Sequence, residues 1–390
     1  MSLSELTGKR DRVPIGATMA AVVIVGAGVI GLSLAYELAR RGHSVKILDA
    51  DQPGRGASSA AAGILPPPCS GLTDDAQEQL RAVAHQLHFE WHARLLAETG
   101  IDTQLRKCGG LYLAQRAAEA ASLRVRVAEA ASEGVRAELL DADEVVRCEP
   151  SLVAVRERIL VGMLLPDEAR IRGPLHLAAL QAACDQSGVE IMPHQRCVGW
   201  TTQADRVVSV RVEAGDGDRE IAADVFVVCS GARSPSVLAQ LGLQVPIEPR
   251  RGQLVVWHVP SLRLNHIVNE GLRYLVPRED GRILAGATVE DVGWECCVTD
   301  EGMAQMVDFA VSWLPQLRDV APETAWAGLR PWTPDGMPYM GPLPGWSNAW
   351  VCAGHFRSGL HLSPAVAVAM ADSLDGHGGA WDLSPFRVSR

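Results

Sequence analysis

One segment near the start of the chain constrains the fold more than any other. The apolar, β-branched run Ala21–Val25 predicts a short buried parallel strand. The sequence GAGVIG follows at residues 26–31, and residues 32–41 have the pattern of a helix. Ser44–Leu48 predicts a second strand, which ends directly before Asp49. This order of strand, glycine turn, helix, strand and acid predicts a βαβ unit that binds a dinucleotide.

Each residue of the glycine turn has a distinct expected role. Gly26 permits the tight turn, Gly28 lets the backbone approach a pyrophosphate, and Gly31 lets the helix pack closely on the strand. Two further predicted contacts, Val29 and Ile30, lie where helix N–H groups point at phosphates. Asp49, followed by the predicted contact Ala50, is placed to accept hydrogen bonds from a ribose. A βαβ unit without a dinucleotide stays open, and the pattern does not separate FAD from NAD.

Composition and charge narrow the class of protein. The chain has 390 residues, of which 47% are hydrophobic, enough for two intimately joined globular domains. The net charge is −10 with both signs interspersed, which argues against a nucleic-acid partner. The nine cysteines include no CxxC pair, so we expect a reduced, cytoplasmic chain. Adjacent Cys296 and Cys297 allow a vicinal disulfide or, as we expect, two ordinary cysteines.

The N-terminal region predicts neither a signal peptide nor a membrane span. Residues 1–18 are polar, and we expect a disordered lead there, with Met19 an alternative start. Residues 20–39 are apolar enough to suggest a span. Glycines at fixed spacing interrupt them, which favours a strand, a turn and a helix.

Small residues dominate the segment GRGASSAAAGIL at residues 54–65. Their backbone and hydroxyl groups suit close passage along a flat or phosphorylated ligand, and a flexible linker is the alternative. Four further segments stand out: YLVPR at 274–278, GAT at 286–288, WAGLRPWTPDGMP at 326–338 and GHFRSGL at 354–360.

Together these segments resemble the D-amino acid oxidase superfamily of FAD-dependent oxidoreductases, and within it the glycine oxidases of thiamine biosynthesis. The resemblance extends from about residue 20 to 374. It implies an α/β fold in which a Rossmann-like FAD-binding domain is interleaved with a substrate domain built on a mixed or antiparallel sheet. The implied FAD-binding segments are 20–70, 160–245 and 320–375, and the substrate-binding segments are 71–159 and 246–319.

The resemblance also implies the residues that contact FAD beyond the glycine turn. Val198 is expected near the adenine. Family members that bind FAD covalently carry a cysteine close to the Arg330 segment. No cysteine lies between Cys297 and Cys352 here, so the resemblance implies noncovalent FAD. The remaining implied contacts are Ser58, Ser59, Ala61, Ala62, Gly63, Ile64, Ser230, Gly231, Gly354, His355, Phe356, Arg357, Ser358, Gly359 and Leu360.

Three side chains are the implied catalytic residues. Arg330 would grip a substrate carboxylate with its planar fork, Tyr274 would donate to the same carboxylate, and Arg357 would face the cavity or the flavin. Pairing of Arg330 with a surface acid, and a core role for Tyr274, are the alternatives. We expect His355 to be structural.

Three histidines at metal-ligand spacing do not predict a metal site. His85, His88 and His92 share one face of a predicted helix. Alanine and leucine surround them without an added acid or cysteine, so we expect a packed or solvated face.

The resemblance implies oxidative deamination of glycine or another small primary or secondary amine. Hydride would pass from Cα to flavin N5, giving an imine, and oxygen would take the electrons as hydrogen peroxide. Trp332 stands where glycine oxidases often have glycine, so glycine itself stays open. The alternatives are a D-amino acid or other amine dehydrogenase with a quinone-type acceptor, a hydrogen cyanide synthase-like subunit, an NAD-dependent dehydrogenase and a non-catalytic flavin protein. A homo-oligomer is also left open.

Overall fold

The computed structural model describes residues 19–69, 75–215, 217–376 and 381–390. The lead expected at residues 1–18 lies outside the described residues.

A six-stranded sheet forms around the predicted βαβ unit. Strands Ala21–Val25 and Ser44–Leu48 have the predicted bounds, and the intervening helix Val29–Arg40 begins three residues earlier than expected. The strand order is Tyr339–Pro342, Ala349–Ala353, Val225–Val228, Ala21–Val25, Ser44–Leu48 and Glu190–Met192. The neighbouring pairs are parallel, except that the edge strand Tyr339–Pro342 is antiparallel. The Rossmann-like fold class is therefore confirmed.

Both faces of this sheet are buried, which explains why its strands lack alternation. Val22 and Ile24 pack against helices on one face, while Val23 and Val25 contact a three-stranded antiparallel sheet on the other. The helices on the first face are Val29–Arg40, Ala76–Thr99, Gly173–Gln186 and Gly359–Leu374. The three strands opposite them are Arg196–Gln203, Arg206–Glu213 and Arg219–Ala222.

An eight-stranded sheet forms the second layer. Its order is Thr324–Trp332, Glu248–His258, Arg282–Gly286, Arg273–Pro277, Ile267–Glu270, Gly110–Ala114, Val161–Leu165 and Glu138–Leu140. Only the pair Ile267–Glu270 and Gly110–Ala114 is parallel within this sheet. A hairpin with its turn around residues 279–281 joins Arg273–Pro277 to Arg282–Gly286 in antiparallel register. The expected mixed or antiparallel substrate sheet is therefore present.

The two faces of the eight-stranded sheet contact different parts of the molecule. Leu275 and Ala285 pack with the helix Asp300–Trp313 on one face. Tyr274 and Leu284 lie on the other face, against Ala62 and Ile64 of the small-residue segment. This second face therefore meets the predicted ligand-binding loop.

Two strands belong to a different sheet from the one expected. Val161–Leu165 and Thr324–Trp332 lie within segments assigned to FAD binding, yet both pair in the eight-stranded sheet. Thr324–Trp332 belongs to the eight-stranded sheet because it pairs along its whole length with Glu248–His258. The division at residues 160 and 320 stays a prediction, as do the other domain boundaries.

Short elements complete the described chain. A small sheet joins Ile64–Leu65 and Arg106–Lys107 through Ala169–Arg170. The remaining helices are Ala117–Ser132, Ala142–Cys148 and Ser234–Leu238, with 3-10 turns at Pro150–Arg158, Gly231–Arg233, Ala239–Leu241, Pro315–Leu317 and Ser384–Phe386. Among the described helices, none has both the length and the apolar character needed to cross a membrane.

Candidate functional site

The glycine turn is packed so tightly that the protein itself requires two of its glycines. A Cβ on Gly31 would lie 1.9 Å from the Gly26 carbonyl oxygen, and one on Gly26 would lie 2.5 Å from the Cys229 oxygen. Gly26 also has φ +116°, which favours glycine. A Cβ on Gly28, in contrast, would meet only the Ser58 hydroxyl, at 3.2 Å. Gly28 is therefore the open position of the turn, as an approaching phosphate requires.

Polar groups converge on this turn from three other segments. The Asp49 carboxylate accepts the Ala27 N–H at 2.7 Å, and the Ser58 hydroxyl accepts the Val29 N–H at 2.9 Å. The Ser230 hydroxyl donates to the Val25 carbonyl at 2.8 Å. Burial raises the pKa of Asp49, although its bonds to backbone N–H groups oppose that shift. The structure thus brings together the predicted residues Asp49, Ser58, Ser230 and Gly231 beside the glycine turn.

Val198 and Ala50 lie at the margin of this group. Val198 belongs to the strand Arg196–Gln203 and is 37% exposed. The chain just before that strand reaches the turn, because Gln195 donates its N–H to the Asp49 carbonyl at 2.7 Å. Ala50 is exposed directly after Asp49. Neither position has a contact of its own that assigns it a ligand.

The small-residue segment crosses between the two large sheets. Gly63 has φ +75°, and a Cβ there would lie 1.9 Å from the Ile171 carbonyl oxygen. A Cβ on Gly328 of the facing strand would lie 2.6 Å from the Ala60 Cβ. The predicted contacts Ser59, Ala61, Ala62 and Ile64 belong to the same stretch, and of these Ile64 pairs with Arg170. Small residues are thus required where this loop faces the eight-stranded sheet.

Arg330 and Tyr274 lie on the sheet face that meets this loop. Arg330 is opposite Arg250 in register, and its guanidinium lies over Gly252, where a Cβ would collide with it. Its Nη1 donates to the Thr288 carbonyl at 3.0 Å. The Tyr274 ring lies over Gly286 in the same way. The antiparallel pairing therefore brings together two residues that are 56 positions apart.

Electrostatics link these two side chains to Arg357. Burial raises the pKa of Tyr274, while the charges of Arg330 and Arg357 oppose that shift. Burial lowers the pKa of Arg330, and Arg357 lowers it further, whereas Tyr274 raises it. Among the described residues, no carboxylate lies within ion-pair distance of Arg330. The three predicted catalytic residues therefore share one locally positive region with a tyrosine that keeps its proton at neutral pH.

The segment 354–360 connects this region to the flavin-domain sheet. Gly354 has φ +86°, and a Cβ there would lie 2.7 Å from Thr333 Cγ2. Phe356 donates its N–H to the Pro331 carbonyl at 2.9 Å, directly after Arg330. Arg357 is exposed and donates to the Leu272 carbonyl at 3.4 Å. Ser358, Gly359 and Leu360 then begin the helix Gly359–Leu374.

His355 is fully enclosed in this loop. It is 5% exposed, and its Nε2 has no hydrogen-bond partner within the described structure. Burial lowers the pKa of His355 to about 3. The ring is therefore neutral at physiological pH, which is consistent with the structural role expected for it.

A carboxylate network anchors Arg330 from the opposite side of the sheet. Glu290 accepts hydrogen bonds from Arg251 at 2.5 and 3.0 Å, from Gln253 at 2.8 Å, and from the Thr288 hydroxyl. The Thr288 hydroxyl in turn accepts the Gln253 N–H at 2.9 Å. Because Thr288 also supplies the carbonyl that binds Arg330, this network fixes the position of the arginine. Sequence reasoning missed it, and the alternation of Thr288 and Glu290 beyond a predicted strand was its only signal.

The three histidines on the helix Ala76–Thr99 bind separate protein acceptors. His85 contacts the Pro66 carbonyl, His88 contacts the carbonyls of Leu360 and His361, and His92 contacts the Thr103 hydroxyl. Within residues 19–69, 75–215, 217–376 and 381–390, no group of three or more histidine, cysteine or acidic residues could hold a metal. Cys296 and Cys297 are exposed free thiols.

Comparisons with known proteins agree with this architecture. The model of the family described as FAD dependent oxidoreductase (DAO) matches residues 21–373. The chain is 34% identical to a glycine oxidase of Pseudomonas aeruginosa over 94% of this chain and 97% of that protein. The crystal structure of glycine oxidase from Geobacillus kaustophilus matches with a TM-score of 0.88 at 30% identity, covering 95% and 99% of the two chains. Iminodiacetate oxidase from Chelativorans sp. BNC1 matches with a TM-score of 0.83 at 28% identity, covering 94% and 98%.

Proposed function

Because this chain belongs to the FAD dependent oxidoreductase (DAO) family and is an FAD-dependent amine oxidoreductase, we propose that it oxidises the C–N bond of glycine or another small amino acid. FAD is the cofactor, as expected from the sequence and as the family description states. The glycine turn, Asp49, Ser58 and segments 61–64, 230–231 and 354–360 are the residues that we propose hold it. The open Cβ direction at Gly28 supports this fit.

The observation that carries the substrate proposal is the state of Arg330. Its guanidinium is held by the Thr288 carbonyl and lies beside Tyr274, with no carboxylate partner among the described residues. A guanidinium fork binds a carboxylate through two parallel hydrogen bonds. We therefore assign the substrate carboxylate to Arg330, with the Tyr274 hydroxyl as a second donor and Arg357 at the exposed side.

The surroundings of Arg330 favour a small substrate. Gly252 lies under the Arg330 guanidinium, and Gly286 lies under the Tyr274 ring. Trp332 is two residues beyond Arg330 on the same strand, so its side chain shares the Arg330 face. The Arg250 guanidinium stacks on the Trp332 ring at 4.5 Å, which holds the indole in place. This bulky pair narrows the space beside the proposed carboxylate site.

The protein has little acid–base work to do in this reaction. FAD, when bound, accepts two electrons and a proton equivalent from the substrate. The task of Arg330 and Tyr274 is to hold the carboxylate so that the Cα–H bond is correctly oriented. The amine must be neutral to release electrons, and the positive charges of Arg330 and Arg357 disfavour a protonated amine nearby.

The proposed products follow from the balance of atoms. The amino acid loses two electrons and two protons and becomes an imine, and oxygen gains them and becomes hydrogen peroxide. Water then hydrolyses the imine. A primary amino acid gives an oxo acid and ammonia, and a secondary amino acid gives an oxo acid and a primary amine. The oxygen step is the one that separates this proposal from a dehydrogenase with a quinone-type acceptor.

An anaerobic absorbance titration tests the substrate class. Purified protein should show flavin bands, and glycine, sarcosine, iminodiacetate or a D- or L-amino acid should bleach them. Acid precipitation should release the flavin into solution if it is bound noncovalently. Flavin bands that none of these amines bleach would contradict amino acid oxidation, and a colourless preparation that FAD cannot restore would contradict the assigned cofactor residues.

The electron acceptor requires a separate measurement. Oxygen consumption and hydrogen peroxide should rise together when the bleaching amine is added in air. Reduced flavin that stays reduced in air but is reoxidised by a soluble quinone would replace the oxidase proposal with a dehydrogenase.

A further inference from the structure

A cleft of about 450 Å³ opens at the far end of the eight-stranded sheet. It lies between the turn of the hairpin after Pro277 and the loop that contains residues 260–265. Tyr274 is four residues from Arg278 along the chain, about 13 Å in an extended strand. The lining includes no residue of the glycine turn, of segment 57–64 or of the Arg330 strand. The cleft is therefore separate from the proposed substrate and pyrophosphate sites.

Four arginines line this cleft: Arg170, Arg263, Arg278 and Arg282. They come from three parts of the chain, since Arg170 lies in the middle strand of the small sheet, Arg263 lies in the loop, and the other two flank the hairpin turn. Arg263 is exposed, and no described acid lies within ion-pair distance of it.

The two acids that line the cleft are already engaged by arginines. Asp280 binds Arg172 at 2.6 Å and Arg282 at 2.9 Å. Glu279 binds Arg106 at 2.5 Å. Two of these partners, Arg106 and Arg172, are additional cations close to the cleft. The acids therefore do not neutralise the charge of Arg170, Arg263 and Arg278.

Arg170 is the most unusual of these residues. It is only 7% exposed, and its Nε and Nη1 have no hydrogen-bond partner within the described structure. A buried guanidinium normally has acceptors for its N–H groups, because an unmade bond to a charged donor is costly. Arg170 is also one of the residues that line the cleft, which is large enough for a small molecule.

Arg278 binds main-chain oxygens and no acid. Its Nη1 donates to the Ile171 carbonyl at 3.1 Å, and its Nη2 donates to the Ala62 carbonyl at 2.6 Å. Burial lowers the pKa of Arg278 to about 10, with further lowering by the charges of Arg170 and Arg172. The residue is still a cation at neutral pH, and its neighbours add to the unbalanced positive charge.

We propose that this cleft binds a phosphate group, as free inorganic phosphate or as part of a phosphorylated small molecule. Arginines from three segments of the chain line the cleft. A tetrahedral dianion offers oxygens in several directions, whereas a carboxylate offers two oxygens in one plane with a single charge. The Arg278 bond to Ala62 connects the occupied cleft to the loop that faces the substrate sheet.

Calorimetric titration of the flavin-loaded protein tests this site directly. Inorganic phosphate and glycerol phosphate should each bind at one site per chain, and acetate at equal ionic strength should not compete. Arg263→Gln removes an exposed charge without disturbing the buried arginines. It should weaken phosphate binding by about tenfold, as expected for loss of one charge-assisted contact.

A matched variant controls for general charge effects. Arg124 is exposed on the helix Ala117–Ser132, outside the cleft lining. Arg124→Gln should leave phosphate affinity unchanged. Absence of phosphate binding at millimolar concentration, equal weakening by both variants, or equal competition by acetate would overturn the assignment. Tighter binding of glycerol phosphate than of phosphate would identify the phosphomonoester as the occupant, and the reverse order would identify the free ion. These readouts do not depend on amine oxidation.

Discussion

At the residue scale, the predicted catalytic residues divide by how strongly the structure constrains them. Arg330 is fixed by a glycine beneath it and by the Thr288 carbonyl beside it. Tyr274 is buried over another glycine, whereas Arg357 is exposed and has one long contact to a carbonyl. The first two are therefore preorganised for a ligand, and Arg357 has freedom to adjust to one.

Replacing Arg330 should affect substrate binding more than any other single change at this site. Arg330→Ala should raise the Michaelis constant for the best amino acid by several hundredfold, since a charge-assisted pair contributes roughly 3–4 kcal/mol. Steady-state kinetics and the visible flavin spectrum are the measurements. The matched control is Arg250→Ala on the neighbouring strand, which should change the constant much less. An unchanged constant in Arg330→Ala would remove this residue from carboxylate binding.

At the scale of elements, glycine positions separate folding from ligand binding. Within the turn that joins Ala21–Val25 to Val29–Arg40, Gly31 is enclosed by main chain and Gly28 is open. The same strand–turn–helix element thus contains one glycine that the fold requires and one that we assign to the cofactor.

Two substitutions in this turn should therefore have different consequences. Gly28→Ala should fold with an unchanged melting temperature in the flavin-free state but bind FAD about tenfold more weakly, because its Cβ occupies the approach to the pyrophosphate. Gly31→Ala should lower the melting temperature of the flavin-free protein, since its Cβ meets the Gly26 carbonyl. Flavin titration and thermal unfolding distinguish the two. Full FAD affinity in Gly28→Ala would refute the placement of the pyrophosphate.

The Glu290 network predicts a positioning effect between elements. Glu290→Gln loses the charge that binds Arg251, so the Thr288 carbonyl should hold Arg330 less firmly. We expect a Michaelis constant raised about tenfold with flavin content unchanged, and partial recovery in Glu290→Asp. Glu301→Gln on the nearby helix Asp300–Trp313 is the control. A changed melting temperature with unaltered kinetics would show that the network serves stability alone.

At the scale of the whole molecule, buried histidines make stability depend on pH, and the pKa values of four of the five in the described structure are strongly lowered. Burial lowers the pKa of His88 to about 4, of His176 and His355 to about 3, and of His361 well below its ordinary value. The unfolded chain binds protons on these rings near pH 6.5, so it holds more protons than the folded chain below that pH. The free energy of unfolding must therefore fall as the pH decreases from 6.5.

One buried acid opposes this trend. Burial raises the pKa of Glu168 to about 7. The contribution of Glu168 to the free energy of unfolding therefore increases as the pH falls from 7 towards 4.5. Four histidines outweigh one glutamate, and each histidine contributes about 1.4 kcal/mol per pH unit. Denaturant unfolding between pH 7 and 5 should show a slope that rises to roughly three protons near pH 5. His176→Phe should reduce the slope near pH 5 by about one proton. An unchanged slope in this variant would contradict this account.

Local sequence was sufficient to predict the structure of the segment that we propose binds the dinucleotide. The strand bounds Ala21–Val25 and Ser44–Leu48, the glycine turn and Asp49 were predictable because they lie within about 30 residues of one another. Their spacing alone determines which groups meet. The helix start was misplaced by three residues, since Val29 obtains its partner from Ser58, far along the chain.

Only the tertiary structure decided how the substrate half is assembled. Arg330 and Arg251 come from neighbouring antiparallel strands, and Thr288 comes from the segment that follows the strand Arg282–Gly286. The sequence had identified Arg330 through a family resemblance, but it contained no sign of its support by Glu290 or of the arginine cleft. The chain alone thus determined the βαβ unit through a short-range pattern, and the cofactor class and the fold through a family resemblance. The geometry around the carboxylate and the charge of the cleft depended on contacts between residues tens to more than a hundred positions apart.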